Sequence, residues 1–358
     1  MKTKSIKTAI IVPMIVALTL GVAIMVTTVA ILSSNTAADM TDRLIHADIV
    51  AAQSEFSKLI ESIGGAVDAL PSIFLDMVDS DFSQEHPREY ALSVLTNLLL
   101  ANSDIIAAWT CWEPNAFDGA DSLFINAPYH DSTGRFIPQV SLNRAFNVTK
   151  KALTDYNDPI KGEYYTEAKA SGKPHMTEPF YRDLEGQKEL LLTYSVPVIK
   201  SGRVVGVIGA DFLLDNITSV MNSFSVLDDG YLYLLSTGGY FTTHPNTNLI
   251  MNHYSTTWLG QFSREIETLI NTGGSITATG YSDALNAMTS VTIVSMVVGG
   301  NQYLFCAVVP LSTVNASSMF LMWLVIIIGL AMLLIISLIT YSIVSRSLTD
   351  LPNITHAA

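Results

Sequence analysis

Two features of this sequence can do recognition chemistry at close quarters. One is an acid that ends an apolar, glycine-spaced run, Gly206-Val207-Ile208-Gly209-Ala210-Asp211; the other is an adjacent aromatic pair, Tyr164-Tyr165. A carboxylate among aromatic faces is a physical recipe for holding a cation, because each ring quadrupole attracts an ammonium group by about 0.5–2 kcal/mol. Further candidates are Trp112, which ends a short β-type run (105–112), Asp118 in the loop that follows, and Tyr181 with Asp183. The sequence carries no C-x-x-C, HExxH, phosphate-loop or GxSxG pattern, so no catalytic residue, metal or cofactor is expected. His130 and His244 lack a second His or Cys at a ligand spacing and read as loop and turn residues. An external hydrolase using Asp118 and Asp183 would need both acids about one reacting centre, and no such pairing is visible.

These candidates lie between two apolar runs. Of 358 residues, 49% are hydrophobic and only 14% charged, and the apolar ones concentrate at 8–33 and 318–344. Each run exceeds the roughly 20 residues that cross a hydrocarbon core, and in lipid each must satisfy its own backbone as a helix. Lys2, Lys4 and Lys7 precede the first run and Arg346 follows the second, so the positive-inside rule puts both ends in the cytoplasm. The first run is longer than a signal-peptide core and reads as an uncleaved anchor. Between the runs stand 15 basic and 31 acidic residues, a net charge of −16, which does not suit nucleic acid or anionic lipid. Cys111 and Cys306 are far apart in sequence and are expected to be unbridged.

The elements that must position the candidates follow from periodicity. Residues 35–64 repeat apolar side chains (Leu44, Ile45, Ile49, Val50, Phe56, Leu59, Ile60, Ile63) at three- and four-residue spacings, predicting a long helix out of the membrane that Gly64-Gly65 can interrupt. Helix is predicted again over 66–78 and 88–102, then a Pro-, Gly-, Asn- and Asp-rich loop over 113–135. Runs 175–181, 189–199 and 203–213 read as strands, the last two joined by Lys200-Ser201-Gly202 in a hairpin. A helix over 214–224, capped at Asp215, and a smaller strand set (230–244, 290–298, 303–309) around a helical piece at 263–271 complete the pattern.

The ordered series Tyr164-Tyr165, Ser171-Gly172-Lys173-Pro174, Glu178-Pro179, Ser195-Val196-Pro197-Val198 and Gly206–Asp211 resembles the signature region of double Cache sensor domains of bacterial chemoreceptors. Asp229-Gly230-Tyr231, His244-Pro245 and Ala307-Val308-Val309-Pro310 are similar to the membrane-proximal module of that family. The resemblance implies an α+β fold: a two-transmembrane-helix protein with a long N-terminal helix and two stacked antiparallel-sheet, PAS-like modules. The implied division is 1–7 cytoplasmic, 8–33 transmembrane, 34–65 emergent helix, 66–224 distal ligand-binding module, 225–317 proximal module, 318–344 transmembrane and 345–358 cytoplasmic tail.

By resemblance, the distal module binds a small molecule and the long helix packs on a partner subunit, giving a homodimer in the inner membrane with 34–317 outside the cytoplasm. Members with amino-acid ligands carry an Arg two residues before the aromatic pair; here that position is Gly162. Asp211 matches the family aspartate that meets a ligand ammonium. With the carboxylate clamp missing, an amine is the favoured ligand, and an amino acid or organic acid the alternative. Tyr164, Tyr165, Trp112, Tyr181, Asp183 and Asp118 are the accompanying site candidates. The protein is expected to be a sensor of a chemotaxis or signal-transduction receptor, not an enzyme; a structural or adhesion module is the other alternative. The family's cytoplasmic signalling part does not follow residue 344, so the chain is expected to be a receptor fragment, a truncated product or a stand-alone sensor with a separate signalling partner.

Overall fold

The computed structural model describes residues 6–79, 86–143, 145, 147–184 and 187–349, with side chains at 6–12, 183–184, 187 and 344–349 outside the description. Its contacts form two units, one of the chain up to Leu44 together with the chain from Pro310, the other Ile45–Val309.

Helix α1 (Ile6–Asp68) and helix α7 (Leu311–Thr349) each contain a stretch long and apolar enough to cross a membrane. In its second half α1 changes character. Ile45, Ile49, Ala52, Phe56, Ile60, Ile63 and Val67 are buried at spacings of three and four, while Leu44 and Val50 face outward. The helix runs unbroken through Gly64-Gly65, where an interruption was expected. The ring of Tyr194 lies 3.3 Å from where a Cβ of Gly64 would stand, and its hydroxyl donates to Asp68 Oδ1 at 3.0 Å. The glycine therefore serves close packing.

Helices α2 (Leu70–Asp79) and α3 (Pro87–Ala101) precede the first sheet. Its strands are β1 (Ala107–Trp112), β2 (Pro138–Leu142), β3 (Val148–Ala152), β4 (His175–Met176), β5 (Phe180–Leu184), β6 (Gln187–Lys200) and β7 (Arg203–Leu213), with helix α4 (Glu163–Ser171) between β3 and β4. The order is β3-β2-β1-β7-β6-β4, with β5 pairing β6. The β6–β7 turn puts Ser201 at φ 50° and Gly202 at φ 75°, both left-handed, as a two-residue hairpin requires. Strand β7 is buried from Gly206 to Phe212 on both faces, which explains its near-continuous apolar sequence. One face holds Trp109, Cys111, Ile137, Tyr164, Tyr165 and Val207; on the other, Trp112 packs on Phe74 of α2 and on Phe117.

Helix α5 (Leu214–Asn222) leads into the second sheet: β8 (Tyr231–Leu235), β9 (Phe241–Thr243), helix α6 (Ser263–Thr272), β10 (Ser275–Ser282), β11 (Ala287–Val298) and β12 (Asn301–Pro310), ordered β10-β11-β12-β8-β9. Leu213, not Asp215, occupies the N-cap position of α5, and it makes no side-chain cap; Asp215 lies in the first turn. Strands β2, β3 and β10 and helix α4 were not legible in the sequence, because PQVSL and VTKKA are short and polar and EYYTEAKAS lacks an apolar stripe.

Phe56 of α1 stands edge-on to Tyr303 (5.3 Å) and Phe305 (5.5 Å) of β12 and is fully buried. Phe56→Ala should destabilise Ile45–Val309 by about 3–5 kcal/mol, the usual cost of removing a buried phenyl ring, measured by denaturant unfolding of the solubilised chain; a change below about 1 kcal/mol would show that the seam contributes little.

Candidate ligand-binding site

Register on the first sheet builds the site. Asp211 of β7 lies opposite Ala107 of β1 and Thr193 of β6. Two residues earlier on the same face comes Gly209, opposite Trp109. A Cβ on Gly209 would fall 2.2 Å from the Trp109 ring, so only glycine lets the indole lie flat across the strand. Positioned this way, Trp109 Nε1 donates to Asp211 Oδ1 at 3.0 Å, and Thr193 Oγ1 donates to the same oxygen at 2.8 Å. Gln139 Nε2 donates to Oδ2 at 3.2 Å, and Arg182 Nη1 also donates to Oδ2. The carboxylate is 0% exposed. Taking such a charge out of water is compensated only when its lone pairs are met, and here each oxygen has two donors.

A cavity of about 600 Å³ opens on the outer side of Arg182. Tyr164, Phe180 and Tyr181 give it aromatic walls, and Lys151, Lys161, Asp155, Glu163 and Glu178 give it charge of both signs. The volume suits a small organic ligand. Tyr164 meets Trp109 edge-on at 4.9 Å and donates from its hydroxyl to the Thr154 carbonyl at 2.6 Å; burial pushes its phenol pKa well up, so it stays a neutral donor. Glu178 Oε1 accepts from the Gly238 amide at 2.9 Å, while its Oε2 is buried without a hydrogen-bond partner among the described residues. Burial raises the Glu178 pKa above the usual carboxylate value, with the neighbouring Glu163 charge adding to it.

The sequence candidates separate accordingly. Tyr164 and Tyr181 line the cavity, Tyr181 with 60% of its surface exposed. Asp211 sits one layer behind it, covered by Arg182. Asp183 pairs in register with Lys188 on β6, but its side chain lies outside the described residues. Tyr165 is 1% exposed and does not line the cavity; its hydroxyl donates to Glu113, and Arg135 donates to that hydroxyl. Trp112 points to the opposite face of β1, because strand side chains alternate. Asp118 likewise stays away from the cavity: Arg88 donates to both its oxygens at 2.6 and 2.8 Å, and also to Asp121, fixing the loop on α3. Thus Trp109, Thr193, Gln139 and Arg182 are the residues that sequence reasoning missed. Only the register of β1 on β7 identifies Trp109, and nothing local marked Arg182.

An antiparallel sheet carrying this cavity, followed by a second smaller sheet, is the two-sheet α+β architecture that the resemblance to double Cache sensor domains implied. Residues 91–219 match the family described as methyl-accepting chemotaxis protein-like, first PDC sensor domain. Two relatives from Pseudomonas aeruginosa are the methyl-accepting chemotaxis proteins TlpQ, 30% identical over 145 residues (37% of this chain, 20% of the relative), and PctB, 31% identical over 107 residues (30% and 16%). The chain spans about a fifth or less of the length of the curated relatives it matches. Among solved structures, the extracellular domain of mmHK1S-Z3, a protein assigned as a histidine kinase, gives a TM-score of 0.60 at 23% identity, covering 80% of this chain and 97% of that one. The periplasmic sensory domain of the Campylobacter jejuni chemoreceptor Tlp1 gives 0.59 at 16% identity, covering 76% and 95%. These likenesses show the fold.

Two substitutions test the site. Gly209→Ala should expel the Trp109 indole and break its bond to Asp211, costing about 2–5 kcal/mol from overpacking plus a lost bond to a charged group; an unchanged near-ultraviolet circular dichroism spectrum and midpoint would refute that packing. Glu178 has a folded pKa above its unfolded value, so the stability this shift supplies is complete below the unfolded pKa and is lost as pH rises through the folded one. Glu178→Gln removes that loss. Its Tm relative to the parent's should therefore rise as pH climbs above the ordinary carboxylate range and level off above the folded pKa, by about 2–4 °C for each kcal/mol relieved; a difference that falls with rising pH would contradict the assignment.

Proposed function

We propose that this chain is the sensing part of a bacterial chemoreceptor that binds a small ligand carrying both an ammonium and a carboxylate, an amino acid in the broad sense. The supporting observation is the Arg182–Asp211 pair behind the cavity. An amine alone would take Asp211 Oδ2 and leave the Arg182 guanidinium without its acid. An organic acid alone would take Arg182 and leave a buried carboxylate one donor short. A zwitterion meets both, its ammonium on Asp211 and its carboxylate on the freed guanidinium, which suits bidentate carboxylate recognition. Tyr164 offers an aromatic face beside the ammonium. The amine expected from Asp211 and the aromatic pair took no account of Arg182.

In this reading residues 66–224 form the distal ligand-binding module and 225–317 the proximal one, outside the cytoplasm between inner-membrane spans at 8–33 and 318–344. Two copies pair along the long helix, and a cytoplasmic signalling partner or domain reads the output. The ligand acts by binding one of two receptor states better than the other. The chain does no catalysis.

A thermal-shift screen of the solubilised chain against α-amino acids, simple alkylamines and dicarboxylic acids tests the ligand class. Amino acids should stabilise, by about 2.7 kcal/mol at a hundred times Kd, and Asp211→Asn and Arg182→Gln should each abolish the shift. Stabilisation by alkylamines with none by amino acids would return the assignment to an amine.

A further inference from the structure

The second sheet has a cavity of its own, of about 380 Å³, lined by six rings: Tyr231, Tyr233, Phe241, His244, Trp258 and Tyr281. His244 stands 5.1–5.5 Å from the rings of Tyr231, Tyr233 and Phe241, and Tyr233 meets Phe241 at 5.5 Å, so one wall is continuous aromatic surface. Trp258 forms another part. A Cβ on Gly280 would lie 2.3 Å from its six-membered ring, so the absence of a side chain there lets the indole lie against β10. The phenol of Tyr231 is tied to Ser282 Oγ at 3.0 Å and that of Tyr281 to Asn286 Oδ1, which holds both rings in place.

The charge of this lining is one-sided. Asp283, exposed in the β10–β11 turn, is its single acid, and among the described residues the lining holds no Lys or Arg. Burial lowers the His244 pKa to about 4, and the ring accepts the Asn246 amide on Nδ1 at 2.9 Å, so it presents a neutral aromatic surface near pH 7. An aromatic lining with one carboxylate and no fixed positive charge disfavours an anion and suits a cation, which ring quadrupoles attract. The cavity of the first sheet is equipped differently, with Lys151, Lys161 and Arg182 in its walls beside Asp155, Glu163 and Glu178.

We propose that the aromatic cavity of the second sheet is a separate binding site for a small organic cation of the quaternary ammonium class, with Asp283 drawing the cation to the mouth and the rings of Tyr231, Trp258 and Tyr281 surrounding it. This site does not depend on the ligand assigned to the first sheet. Two cavities of unlike charge on one chain give the sensor two independent inputs.

The probe is choline, titrated calorimetrically into the full-length chain in detergent micelles, against 3,3-dimethylbutan-1-ol, which has the same shape without the charge. Choline should bind saturably, and the neutral analogue at least tenfold more weakly. Asp283→Asn should weaken choline several-fold. Ala284→Trp, an added ring at an exposed position of the lining, should block the site without cutting into the core, and its thermal midpoint reports that the fold is kept. Arg182→Gln, on the strand that lies off the main order of the first sheet, should leave choline affinity unchanged even where it abolishes the response to amino acids. Three results would overturn the proposal: no saturable choline binding, equal affinity for the neutral analogue, or binding that survives Ala284→Trp and is lost with Arg182→Gln.

Discussion

A single buried carboxylate sets the terms for the first sheet. Asp211 has no contact with water, and each of its oxygens must be met by donors from elsewhere in the fold. Those donors come from β1, β2, β6 and β5, so the four strands around β7 must hold their registers for the charge to be tolerated. A slip by one residue on β1 would turn Trp109 away and bring Ala108 or Thr110 in its place. A polar requirement thereby specifies an arrangement that apolar burial alone would leave degenerate, and it does so one layer behind the cavity that Arg182 lines.

The surroundings follow from that demand. Gly209 is small because the indole must cross it. The loop over 113–135 is fixed at a distance by Arg88, whose guanidinium meets two acids and the Gly134 carbonyl and lies 4.2 Å from the Phe124 ring. Arg135, Glu113, Lys169 and Tyr165 form a second charged cluster under α4, close to Cys111, whose thiol burial pushes up to about 12. Both clusters spend charge on positioning, while the cavity keeps its own charges at the wall.

Much of this was legible in the sequence where one pattern dominated over many residues. The two apolar helices, the buried seam of α1, the β6–β7 hairpin and the importance of the run ending in Asp211 all belong to that kind. What was not legible depends on contacts between distant segments. Trp112 and Trp109 are three residues apart on one strand, and only the pairing of β1 with β7 says which of them faces Asp211. Arg182 lies between two residues singled out for resemblance, yet its role exists only because β5 folds back on β6. Gly64 marked a break by propensity but is a contact by packing, and no local rule distinguishes the two.

The two members of the buried ion pair live on strands of different standing. Asp211 is on β7, in the interior of the sheet, whereas Arg182 is on β5, which pairs with β6 alone and lies off the main strand order. A change at 211 disturbs everything that surrounds the central strand; a change at 182 alters the charge offered to the cavity and leaves the sheet's inner pairings alone. The charge at the cavity wall is thus open to variation on a strand whose side chains can change while β7 keeps its pairings with β1 and β6.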